Sequence, residues 1–164
     1  MMAREGIRLK AKSIFVALVL WSLPTCSNIT EPDGQFPPAE RTAEFLRVSV
    51  LEEAAPASGI VSLKLENLSN LEIDYNLCID RRIERWNENR WADVKVDVDG
   101  VCPAVALILP PGSEATHITA VPAELSPGIY RFDFGSVLFA SQGPESLPQD
   151  DRKTNSFMVT SSSP

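Results

Sequence analysis

The segment Gly59-Ile-Val-Ser-Leu-Lys-Leu-Glu-Asn67 alternates apolar and polar side chains with a period of two. Val61, Leu63 and Leu65 lie on one side, and Ser62, Lys64 and Glu66 on the other. A helix would scatter those residues around its circumference. An extended strand with one buried face keeps them apart. The same pattern returns elsewhere. Phe45, Val48 and Val50 open a first strand, and Leu71, Ile73, Tyr75 and Leu77 alternate with Glu72, Asp74 and Asn76. Tyr130, Phe132 and Phe134 share a face, and Ser156–Thr160 ends the series. Further strands are predicted at Ala104–Leu109, a short apolar run, and at Glu114–Val121.

Turn residues separate these runs. Asn67-Leu-Ser-Asn70, Pro110-Pro-Gly112 and Ser126-Pro-Gly128 each stop an extended segment. Ile83–Trp86 and Trp91–Val94 flank Asn87-Glu-Asn-Arg90, which reads as a hairpin with a four-residue loop that sets two tryptophans beside one turn. Residues 140–153 carry two prolines, a glycine and two aspartates and read as an exposed loop. About seven to nine short strands with regular turns and no helix predict an antiparallel, immunoglobulin-like β-sandwich, with a barrel as the alternative.

The N-terminus has a different grammar. Arg4, Arg8, Lys10 and Lys12 precede an uncharged apolar run from Ile14 to Leu23. A basic segment followed by a short apolar one is a signal-peptide pattern, and the run is too short before Pro24 for a membrane span of about 20 residues. It ends in Leu23-Pro-Thr-Cys26, which resembles the lipobox of bacterial lipoproteins. That resemblance implies cleavage before Cys26 and a diacylglycerol on its sulfur. Thr25 departs from the small residue preferred there, and ordinary cleavage nearby is the alternative. Residues 27–43, broken by Pro32, Gly34, Pro37 and Pro38, read as a tether that extends to at most about 60 Å. The expected organisation is therefore signal peptide 1–25, anchor and tether 26–43, sandwich 44–160 and tail 161–164.

Three cysteines fit this division. In an oxidising compartment Cys78 and Cys102 read as a disulfide, and Cys26 is the odd one out. The alternative is two buried thiols. Charge narrows the partners. The chain carries −7 overall, and without residues 1–25 its eleven Lys and Arg stand against twenty-one Asp and Glu, a net −10. Nucleic acid is excluded as a partner, because phosphate contacts need clustered cations.

Strand Gly59–Asn67 with its turn, Tyr75, the Trp86–Trp91 hairpin, Leu109-Pro-Pro-Gly112 and Leu125-Ser-Pro-Gly-Ile-Tyr-Arg131 follow one another in an order that resembles the bacterial immunoglobulin-like domain of exported lipoproteins. The resemblance covers about residues 45–160. It implies a sandwich and no catalytic residues, and it does not imply a ligand; no cofactor is expected. Tyr130, just after a Pro-Gly turn, suits a tyrosine corner. The layout is also similar to a bacterial proteinase-inhibitor domain, with the 140–153 loop or the tryptophan hairpin as the inhibitory element.

Site chemistry is sparse. His117, the one histidine, is expected to face solvent, on the reading that Ile118 points inward. No Gly-x-Ser-x-Gly is present. Asp97-Val-Asp99-Gly100 fails as an EF-hand, because with Gly100 sixth the first and twelfth ligands would be Lys95 and Ala106. A looser calcium site at Asp93, Asp97 and Asp99 competes with a solvated acidic hairpin. Asn28-Ile-Thr30 and Asn67-Leu-Ser69 match glycosylation sequons. The expected function is a non-enzymatic envelope lipoprotein that binds a protein partner, with the membrane reached through its lipid and no small-molecule substrate. Trp86 and Trp91 are the candidate interaction surface.

Overall fold

The computed structural model describes residue 37 and residues 42–96, 102–140 and 147–161. The expected signal peptide, Cys26, nearly all of the tether, Asp97, Asp99, the Asn28 sequon and the end of the tail lie outside the described residues. No helix among the described residues is long and apolar enough to cross a membrane.

The described chain is all-β. Its strands are β1 (Leu46–Val50), β2 (Ala54–Pro56), β3 (Ile60–Asn67), β4 (Ile73–Tyr75), β5 (Arg81–Asn87), β6 (Arg90–Val94), β7 (Leu107–Leu109), β8 (Glu114–Ala120), β9 (Gly128–Phe134), β10 (Val137–Phe139) and β11 (Phe157–Thr160). One sheet has the order β1-β3-β8, and a second has β2-β11-β9-β5-β6. A small ladder, β10-β4-β7, is separate from both. Both main sheets end in edge strands, so they form an open sandwich and not a barrel. The order β11-β9-β5 in one sheet with β3-β8 in the other is the immunoglobulin arrangement.

The alternation of β3 is realised as expected. Val61, Leu63 and Leu65 are buried with Leu46, Val48 and Val50 of β1. Ile83, Tyr130, Phe132, Phe134, Phe157 and Val159 meet them from the second sheet in one continuous core. Phe132 stacks on Phe134 and Phe157 at centroid separations of 5.9 and 5.3 Å. The Tyr130 hydroxyl donates to the Ser126 carbonyl at 2.7 Å, which closes the tyrosine corner.

Several boundaries differ from expectation, each for a local reason. The β5–β6 turn has two residues, not four. Glu88 and Asn89 both take positive φ, 48° and 61°, so pairing continues through Asn87 and Arg90. The Leu71–Leu77 strand shortens to β4, because the Asn76 side chain caps the next turn by accepting from the amides of Cys78 and Ile79. The apolar run from Ala104 forms a strand only over Leu107–Leu109, with Val105, Leu107 and Ile108 exposed. β2 and β10 were not anticipated. β2 pairs with β11 in parallel, so the chain changes sheets between Val50 and Ala54. The 140–153 segment is not simply an exposed loop. Leu147 and Asp151 are buried, and both Asp151 carboxylate oxygens accept backbone amides, from Glu44 and Phe45, at 2.9 Å. The Asn67 sequon is internal: its amide nitrogen donates to the carbonyls of Leu71, Leu109 and Pro110.

Cys78 and Cys102 form a disulfide with Cα atoms 5.5 Å apart, closing a sequence separation of 24. Structural bridges of this kind belong to oxidising compartments, which places the chain among exported proteins. Closing such a loop stabilises by about 3 kcal/mol. Burying one phenylalanine contributes about 2 kcal/mol, and the core holds several. Reduction is therefore expected to lower unfolding stability by about 3 kcal/mol while leaving one cooperative transition, checked by urea titration with and without reductant. Loss of the transition on reduction would show that the bridge, and not the core, holds the fold.

Candidate binding cleft

Among the described residues the fold builds a cleft in which polar side chains converge. It begins with the β3–β8 register. Val61, Leu63 and Leu65 oppose Thr119, His117 and Ala115. Directly opposed residues of antiparallel strands share a face, so the buried face of β3 draws Ala115, His117 and Thr119 inward. Ile118 turns outward and is 71% exposed. The expectation for His117 is thus reversed: it is half-buried, and Ile118 faces solvent. The signal was present in Glu114. A carboxylate at the start of the strand sets every even position outward.

β4 does not continue the β8 edge. It pairs with β7 and β10 instead, and the gap is a cleft of about 370 Å³. Leu63, Tyr75, Asn76, Arg81, His117 and Thr119 form its inner part, and Leu77, Pro103, Val105, Leu107 and Ile118 its outer part. Tyr75 Oη lies 2.8 Å from His117 Nε2, with the rings edge to face at 5.4 Å. Burial pushes the Tyr75 phenol above its ordinary pKa, which favours the protonated O–H as donor to the imidazole.

Arg81 enters from the start of β5. Its Nη1 donates to Thr119 Oγ1, and its buried Nε has no hydrogen-bond partner. No carboxylate lies within ion-pair distance of it among the described residues. Loss of hydration pushes the guanidinium pKa down. Arg131 and Lys153, by contrast, both bind Glu84, at 2.5 and 2.9 Å, while the buried Nε of Arg152 shares with that of Arg81 the lack of a hydrogen-bond partner among the described residues. Glu84 is itself buried, and Lys153 also stands 4.0 Å from Asp133.

Two cross-links fix the cleft wall. One is the Cys78–Cys102 bridge. The other is Asn76, whose amide nitrogen donates to the Pro103 and Val105 carbonyls at 2.8 and 3.0 Å. The bridge lies half-buried on the cleft, outside the main core. The cleft-lining residues supply donors and one cation. They include no carboxylate, no serine and no free thiol.

Trp86 and Trp91 are elsewhere. They oppose each other at the β5–β6 hairpin, edge to face at 5.3 Å, and the Arg131 guanidinium covers Trp91 at 4.2 Å. Both are half-buried. Asp93 is exposed on β6. The structure does not bring the tryptophans to the cleft.

No family model matches the chain, and no curated protein matches it. Solved structures resemble it distantly. A structural-genomics target, SoR45, is 12% identical with a TM-score of 0.34, covering 73% of this chain and 85% of that one. The sporulation control protein Spo0M of Bacillus subtilis is 9% identical with a TM-score of 0.32, covering 73% of this chain and 50% of its own. A PapD-like domain of human CEP192 is 11% identical with a TM-score of 0.31, covering 76% and 89%. Likeness at this level assigns neither family nor function.

A protonated, buried Tyr75 links stability to alkaline pH. A group whose pKa is higher in the folded state supports folding fully below its unfolded pKa, about 10 for tyrosine, and that support is lost as pH rises through the folded value. In a Tyr130→Phe background only Tyr75 can give tyrosinate. Its 295 nm absorbance is expected to titrate above the value of the unfolded chain, and a midpoint at or below that value would contradict the buried phenol. The Tyr130→Phe change itself is expected to cost about 1 kcal/mol through its lost hydrogen bond.

Proposed function

We propose that the chain is an exported, lipid-anchored envelope protein whose sandwich acts as a non-enzymatic module for binding another protein. The observation that carries the anchor is cysteine arithmetic. The bridge uses Cys78 and Cys102, which leaves Cys26 as the remaining cysteine of three. Cys26 stands where the basic and apolar leader ends. A lipid there and a proline-broken tether would hold an acidic domain near a membrane whose anionic surface it does not itself attract.

The β8 edge supports the binding role. The flanking bonds, from the Asn67 amide to the Ser113 carbonyl and from the Val121 amide to the Gly59 carbonyl, fix the phase of the ladder. Ala115, His117 and Thr119 therefore bond to β3, and the backbone groups of Thr116, Ile118 and Ala120 point away from it. β8 is an edge strand among the described residues, and its most exposed side chain is Ile118. An edge of this kind accepts a strand from a partner. Ile60, 65% exposed, adds apolar area on the same outward face. The half-buried Trp86–Trp91 hairpin is the second candidate surface.

Mass spectrometry of the mature chain is expected to find diacylglyceryl-modified Cys26 at the N-terminus. Cys26→Ser is expected to move the protein from the membrane pellet to the soluble fraction. An unmodified N-terminus at another residue would end the anchoring claim. For the binding role, an envelope protein captured by the wild-type chain is expected to be lost with Ile118→Lys. Equal capture by the variant would remove β8 as the docking edge.

A further inference from the structure

We propose that the cleft between β4, β7 and β8 binds a small aliphatic monocarboxylate, its carboxylate on the Arg81 guanidinium beside Thr119 and its hydrocarbon against Leu77, Val105 and Leu107. This goes beyond the envelope reading and does not depend on the anchor; the cleft borders the β8 edge, so the ligand and a docked strand would compete for it.

Charge is the first reason. Arg81 is a half-buried cation with no counter-charge among the described residues, and one of its nitrogens is already buried without a partner. A partly desolvated guanidinium is costly unless an anion faces it. Glu84 performs that office for Arg131 and Lys153, and nothing in the cleft does so for Arg81. A bound carboxylate would supply the missing charge and accept the planar N–H donors that guanidinium presents.

Valence and size select the ligand class. Arg81 is the one Lys or Arg that lines the cleft, so it balances a single negative charge. A phosphate would call for further cations, and the domain around it is strongly acidic. The outer part is apolar, with Val105 63% and Leu107 46% exposed. Apolar walls with a few convergent polar groups describe small-molecule sites, whose volumes begin at about 300 Å³. The cleft falls at that lower end, at about 370 Å³. It is also preformed, because the disulfide and Asn76 hold its wall without a ligand, and a preformed site loses little entropy on binding.

Octanoate titrated into the exported, oxidised Cys26→Ser chain tests this, since that variant offers no acyl chain of its own. Saturable amide shifts are expected at Arg81, Thr119, Val105 and Leu107, together with a shift of the Arg81 side-chain Nε–H signal. Octan-1-ol and octylamine are expected to bind at least about tenfold more weakly, because a hydrogen bond between charged groups is lost. Arg81→Gln is expected to weaken octanoate by a similar factor, and Arg81→Lys to recover part of it. Should Arg81→Gln fail to fold, the Nε–H shift in the unsubstituted side chain carries the test. Octanol binding as tightly as octanoate would overturn the proposal. So would displacement of octanoate by equimolar inorganic phosphate, or the absence of saturable shifts at millimolar octanoate. Each of these results leaves the lipid and partner experiments untouched.

Discussion

The pairing of β3 with its neighbours governs the molecule. β3 is the longest strand, and it is the only one bonded to both β1 and β8. Its period-two alternation fixes which side of the first sheet is dry. Through the register that choice passes to β1, where Val48 and Val50 oppose Leu65 and Leu63. It passes equally to β8, where a histidine and a threonine are drawn to the inner side. A slip of one residue would bury Lys64 and Glu66 and expose three aliphatic side chains. No local preference of β8 competes with that penalty. Its one large apolar residue, Ile118, is left exposed, and the others are small or polar and gain little from either face. The half-buried position of His117 is thus a consequence of Leu63, not of His117.

The inner side of β8 is consequently the weakest wall of the core. Opposite β1 the sandwich fills with leucine and valine. Opposite β8 it receives Ala115, His117 and Thr119, which fill less space and need hydrogen bonds. Tyr75 and Arg81 satisfy two of those needs. The same polar residues prevent β4 from closing against β8, and a cleft results. The charge pattern follows from depth. On the β5–β9 surface the buried Glu84 sits between two cations, so its charge is met from both sides. In the cleft Arg81 has no carboxylate partner among the described residues, and partial solvent access keeps its cost tolerable.

What the residues announced in advance were the things fixed by period and by punctuation. Val61, Leu63 and Leu65 gave the inner face of β3, and Tyr130, Phe132 and Phe134 that of β9. Ser126-Pro-Gly128 placed the tyrosine corner. Cys78 and Cys102 were paired by count and compartment. What was not legible depended on partners distant in sequence. β2 is three residues long and polar by neighbourhood, and only β11, about a hundred residues away, makes it a strand. Asp151 looked like a loop carboxylate until the amides of Glu44 and Phe45 gave it two donors. The cleft was illegible for the same reason. Tyr75, Arg81 and His117 show no spacing that a site motif would show, and a register brings them together.

The disulfide completes this logic. β7 is only three residues long, with two of them exposed. Such a strand has little apolar burial to hold it, and short, exposed elements are those that open first in a native state. Two devices oppose that opening, and both act on the same short stretch. Asn76 ties Pro103 and Val105 to the turn after β4, and Cys102 is bonded to Cys78 in that turn. Hydrogen bonds alone at a wet surface would contribute about 1 kcal/mol each, less than the entropy released by freeing several residues. The covalent link removes most of that entropy from the unfolded side and leaves the hydrogen bonds to fix orientation. A sandwich that needed only stability would gain as much from a bridge through its core. This one is placed where it keeps a cleft wall from collapsing or drifting away.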